Sequence, residues 1–318
     1  MAPLRTRETH FMSQDEKLIG IAAALVLVAG PLLLGLTGLI RARRVPADAI
    51  PATAITWNWK LTINSALLYA LAFNLTFFIQ ELFLVLPKAL TPGLRPTLFH
   101  NNHRWEGENP LASLFQGTGA LAILVTGVAC ALFLWRGAAR STTARLLLIW
   151  MTYNEFLQSL PQVVIGAVNP RNDVGMAMDY LGLGAIAKTA AALVALAAIP
   201  VAALWLRRPL LSLAEDPACI HSARARTRFI FHAATVPALA AVLLIIPFRI
   251  PREWIEVVIL PAVVTVIGTA WLQAGAWHVS GVKTEGRLGV GSIALPLGAL
   301  LVLLLVFQLL LRPGVRFY

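Results

Sequence analysis

Eight stretches of this chain are nearly unbroken apolar sequence, each about 20 residues or longer, and they leave little room for anything else. They cover about 18–40, 61–87, 111–135, 146–168, 181–206, 229–248, 255–279 and 292–311. About 20 apolar residues match the hydrocarbon core of a bilayer. In hydrocarbon the backbone must bond within its own segment, so each stretch is expected to be a helix. Composition agrees: 58% of the residues are apolar, 13% are charged and mean hydropathy is +0.75. That is too little charge to coat a soluble surface, and too much apolar residue for a disordered chain. The runs are continuous rather than alternating, which excludes an outer-membrane barrel. The expected fold is all-α, a polytopic helical membrane protein of about eight transmembrane helices (seven to nine). It forms one integral membrane domain over 1–318, opened by a short tail at 1–17.

The net charge is +11 over 318 residues. Its Lys and Arg sit at the ends of apolar runs, where they anchor helices against headgroups. This placement argues against nucleic acid and for membrane lipids as partners. Small residues such as Gly117, Gly119 and Gly127 in span three, and Gly182 and Gly184 in span five, suit close helix packing. That packing is expected within the chain, in a homo-oligomer, or against partner membrane subunits. Spans two to five carry the buried polar groups and are expected to form the centre, with the first and last spans at the periphery. Lys and Arg favour the loops after spans one, three, five and seven, which reads as the cytoplasmic side. Both termini and the segments 88–110 and 169–180 are then non-cytoplasmic, in the plasma (inner) membrane of a prokaryote. Ser13-Gln-Asp-Glu16 has the form of a capping box at the first helix.

Spans two and four end alike. Gln80-Glu81 followed by Leu86-Pro87 aligns with Asn154-Glu155 followed by Leu160-Pro161, and Gly117-Thr-Gly119-Ala120 aligns with Gly182-Leu-Gly184-Ala185. This suggests a tandem two-helix repeat in spans two to five, with an axis along the membrane normal. A true repeat would put Glu81 and Glu155 at one depth. If span four instead runs straight to about 168, Glu155 lies roughly 20 Å from that surface against about 9 Å for Glu81.

Carboxylates inside hydrocarbon are costly and mark function by default, which makes Glu81 and Glu155 the candidate catalytic pair. Asn74 shares a face with Glu81, and Gln158 and Gln162 extend a polar stripe from Asn154. Lys188 reads as lying about two turns inside span five, with Glu81 or Glu155 as its expected partner. His100-Asn-Asn-His103 can offer two imidazoles to one metal. Zinc, or another divalent transition metal, would need at least a third ligand, which a glutamate could supply. Arg104, Lys188 and Asp173, with Asn74, Gln158 and Gln162, are the candidate substrate-binding groups.

Three functions fit these residues. The first is a metal-dependent hydrolase of lipid or membrane-peptide substrates, with a carboxylate- and histidine-lined site open to the non-cytoplasmic side. The second is a proton- or cation-coupled transporter using Glu81, Glu155 and Lys188, which requires polar lining through to the other face. The third is a non-catalytic membrane subunit.

Overall fold

The structure is a computed structural model and describes residues 13–44, 57–282, 284 and 289–318. Most of the expected tail, residues 1–12, lies outside the described residues. The long helices are α1 (Gln14–Arg43), α2 (Trp59–Ala89), α3 (Leu111–Trp135) and α4 (Thr142–Val168). A short α5 (Asp173–Tyr180) precedes α6 (Ala185–Leu211), α7 (Ala223–Arg249), α8 (Ile255–Ala276) and α9 (Ala294–Leu311). The fold is therefore an all-α membrane bundle, and the helices coincide with the eight apolar stretches to within a few residues. Seven are long and apolar enough to cross a membrane. The other, α4, is as long, with 27 residues. Asn154, Glu155, Gln158 and Gln162 make it less apolar. It is also wedged between α2, α3 and α6, so these polar groups face protein.

Local sequence sets the helix ends. Ser13 and Glu16 form the expected capping box, with Ser13 N donating to Glu16 Oε2 at 2.7 Å and Glu16 N to Ser13 Oγ at 3.2 Å. Asn58 caps α2 through Leu61 N, and Ser141 caps α4 through Ala144 N. Each supplies an acceptor to an amide left free by the first turn.

Burial corrects the expected centre. In its most apolar stretch α2 is 72% buried, whereas α1 is 11% and α9 22% buried, so the outermost spans are peripheral as expected. Spans three and five are each only 33% buried, less than α7 at 50% and α8 at 44%. The centre is α2 with α4, enclosed by α3, α6, α7 and α8. Gly119 and Gly127 do serve close packing. A Cβ on Gly119 would lie 2.7 Å from Leu84 Cγ, and one on Gly127 would lie 3.1 Å from Glu155 Cβ. Gly182 and Gly184 do not, because both precede α6 and face open space. Gly182 has φ +65°, a turn conformation that suits glycine.

The segment between α2 and α3 folds into a hairpin, β1 (Arg95–Leu98) and β2 (His103–Glu106). Strand β3 (Val315–Arg316), near the chain's end, pairs antiparallel with β1. This small sheet lies on the face where α2 ends. The start of α1 lies there too, since Glu16 adjoins Asn169, Pro170 and Arg171. The two ends of the described chain thus share the hairpin face.

Candidate functional site

A cavity of about 500 Å³ lies between the hairpin and the ends of α2, α4, α7 and α8. Its polar wall carries Glu81, His103, Gln116, Asp173 and Arg249, and its apolar wall carries Phe77, Leu157, Ile165 and Val264. Side chains alternate along a strand, so β2 turns His103 and Trp105 inward and Arg104 outward. His103 stacks beside Trp105 at 5.8 Å, whereas Arg104 sits over Phe99 on the exposed side. Arg104 is therefore not part of this cavity.

His103 is the hub. Its Nδ1 lies 2.9 Å from Glu81 Oε2, and both side chains are 8% exposed. Its Nε2 lies 3.0 Å from Gln116 Oε1 and 3.5 Å from Lys88 Nζ. Lys88 is fully buried. It donates to Leu84 O at 2.8 Å and to Gln116 Oε1 at 3.0 Å, and it lies 4.8 Å from the Trp105 ring centroid. The Lys88 donation fixes the Gln116 oxygen toward Lys88 and His103, so flipping this amide would turn its NH2 toward the Lys88 ammonium. Asp173, the first residue of α5, completes the group. Burial pushes its carboxyl above the usual range, as does the Glu81 charge, while His103 and Lys88 pull it down. Asn172, not Asp173, caps α5, by accepting from Val174 N.

The two histidines read together as metal ligands do not converge. His100 lies in the turn beyond β1, and its Nε2 is 3.2 Å from Ile250 O. Burial holds its imidazole below the usual range. Among the described residues, no three His, Cys, Asp or Glu side chains are placed to hold a metal ion. Lys188 is also placed differently from the expectation. Because α6 starts at Ala185, Lys188 falls in its first turn and pairs with Asp179, not with either glutamate.

Glu81 and Glu155 do not share a depth. Helices α2 and α4 run side by side in the same direction. Trp150 Nε1 donates to Ser65 Oγ at 3.0 Å near one end, and Gln162 Nε2 to Gln80 Oε1 at 2.9 Å near the other. Glu81 is thus level with residues just past Gln162, and Glu155 lies about 10 Å deeper at 1.5 Å per residue. The equal depth expected from the repeat is replaced by the straight-helix alternative.

Between these levels runs a file of polar groups. Gln162 Nε2 also reaches Gln158 O at 2.9 Å, and Gln158 Nε2 reaches Asn154 Oδ1 at 3.4 Å. Asn74 donates to Ala70 O at 2.8 Å and leaves its own oxygen without a protein donor. Glu155 is fully buried, and neither of its oxygens makes a hydrogen bond; the thiol of Cys130 is its polar neighbour. Below, Trp150 packs edge to face against Tyr69 and Tyr153, whose rings are tilted against each other, and the three form a plug. Tyr69 bonds to Thr265 Oγ1 at 2.7 Å, and Tyr153 donates to Thr265 O at 2.9 Å. Ser65 and Asn64 continue the file toward the far end, bonded to Ala233 O and Gly291 O.

Lys88 and Arg249 belong to the site, yet both look like ordinary end-of-span charges in the sequence. A signal for Lys88 existed: it lies seven residues after Glu81, on the same face of the helix. Comparisons with protein families, characterised proteins and solved structures find no match to this chain.

Proposed function

We propose that the protein is a proton-coupled membrane carrier whose solute enters the cavity on the hairpin face. The observation that carries this reading is the polar file along α2 and α4, which continues past mid-helix Glu155 to Asn64. Polar groups are retained inside a membrane bundle where something polar must pass or bind. In this reading Glu81, His103 and Asp173 exchange protons with the solvated cavity, and the amides of Gln158, Gln162 and Asn154 lead toward Glu155. Glu155 takes up and releases the proton, since an unpaired charge there costs several kcal/mol. The aromatic plug of Tyr69, Trp150 and Tyr153 closes the far side, so the structure corresponds to the state open toward the hairpin. The cavity would face the non-cytoplasmic side of a prokaryotic plasma membrane, as the Lys and Arg distribution suggests. A metal-dependent hydrolase gains no support from the geometry, because His100 and His103 take separate partners and, among the described residues, no three His, Cys, Asp or Glu side chains are placed to hold a metal ion.

The test is two-sided access to Asn74, which sits just below the cavity and above the plug. An Asn74→Cys variant, with Cys130 and Cys219 replaced by serine, is labelled with a membrane-impermeant maleimide. Right-side-out and inverted vesicles are compared at several pH values. A carrier is labelled from both faces, with the balance shifting with pH. Labelling from one face under every condition overturns the proposal.

A further inference from the structure

Arg249 closes α7 and forms part of the cavity wall, yet it is only 3% exposed. Its guanidinium lies 4.3 Å from the Phe77 ring centroid, and its Nε donates to Glu256 O at 2.8 Å. Its Nη1 has no hydrogen-bond partner. Among the described residues no carboxylate lies within ion-pair distance of it. Glu256, the nearest candidate, pairs instead with Arg252 at 2.5 Å, and Glu81 is engaged by His103. A buried guanidinium with an unpartnered donor, on which Glu256 and Glu81 act only from beyond ion-pair distance, is costly unless an anion arrives. The planar fork suits an oxoanion. Across the cavity stand Phe77, Leu157, Ile165 and Val264, which offer an apolar chain somewhere to lie.

We infer that the cavity binds an anionic amphiphile, with its phosphate or carboxylate head on Arg249 and its apolar tail against α2, α4 and α8. This names the solute class for the carrier proposed above and rests on that reading of the cavity as the place where a solute enters. Phe77 lies against the guanidinium, which lines the cavity beside it, and Arg252 adds positive charge at the rim.

The test is calorimetric titration of the full chain in phosphatidylcholine nanodiscs with octyl phosphate, subtracting empty nanodiscs. Inorganic phosphate and octyltrimethylammonium are run beside it. Octyl phosphate is expected to bind, and Arg249→Gln to weaken it at least tenfold. Octyltrimethylammonium should not compete, and inorganic phosphate should bind more weakly for want of a tail. Loss of binding in nanodiscs containing phosphatidylglycerol supports the site with a lipid as the natural source, and undiminished binding supports it with a free amphiphile. No binding to the wild type, equal binding of the ammonium, or unchanged affinity in a folded Arg249→Gln overturns the inference. If Arg249→Gln does not fold, the ammonium comparison on the wild type decides. Binding together with one-sided labelling at Asn74 would remove the carrier reading and leave the anion site standing.

Discussion

Removing the His103 side chain tests the hub of the site most directly. In His103→Ala, Glu81 keeps its burial and loses the imidazole 2.9 Å away. Deleting one partner of a buried hydrogen bond leaves the other unsatisfied, which costs about 1–3 kcal/mol and more for a charged group. Replacing both partners is milder, so Glu81→Gln with His103→Ala should cost less than the two single changes added together. The expected coupling is about 1.5–3 kcal/mol, the range for hydrogen bonds to a charged group. The assay is equilibrium unfolding in mixed dodecyl maltoside–SDS micelles for the wild type, both single variants and the double variant. Limited proteolysis across 95–106 provides a local readout, since this bond ties β2 to α2. A coupling below about 0.5 kcal/mol, with hairpin cleavage unchanged, would refute the reasoning and leave His103 an incidental neighbour.

Three further outcomes follow from particular contacts. Gly119→Leu should destabilise by about 1–3 kcal/mol in the same unfolding assay, because Gln80 O would lie 2.8 Å from the new Cβ and helices cannot separate locally without cost. Asp173→Asn should stabilise the protein at neutral pH. The native carboxyl is raised above 3.8, so the wild type is penalised as pH rises from there through the native value. The advantage of Asn should shrink at acid pH, and a pH-independent difference would contradict the assignment. Lys188→Ala should change stability by no more than about 1 kcal/mol, since its partner Asp179 has a side chain 48% exposed. A larger loss would mean that Lys188 acts inside the bundle, as its position in the apolar run suggested.

The sequence by itself determined the membrane class, the cap of the first helix and the polar stripe on α4. These are properties of single segments. Hydrophobic length follows from bilayer thickness, and a cap such as Ser13 with Glu16 acts within one turn. It also singled out Glu81, Glu155 and His103, because a charged or polar group in or beside an apolar run stands out without reference to any partner. The tertiary structure alone decided which of them meet. Residues 100 and 103 are near in sequence, but the turn beyond β1 carries one to Ile250 and β2 turns the other to Glu81. Arg104 was lost to the site by strand alternation in the hairpin, where it pairs with Thr97 and faces away from the cavity. Lys188 was lost because α6 begins four residues later than its apolar run. Lys88 and Arg249 were gained because whether an end-of-helix cation reaches water depends on what covers that end. Here the hairpin, α5 and the start of α8 cover it, and the register of α2 against α4 sets the depths of the two glutamates.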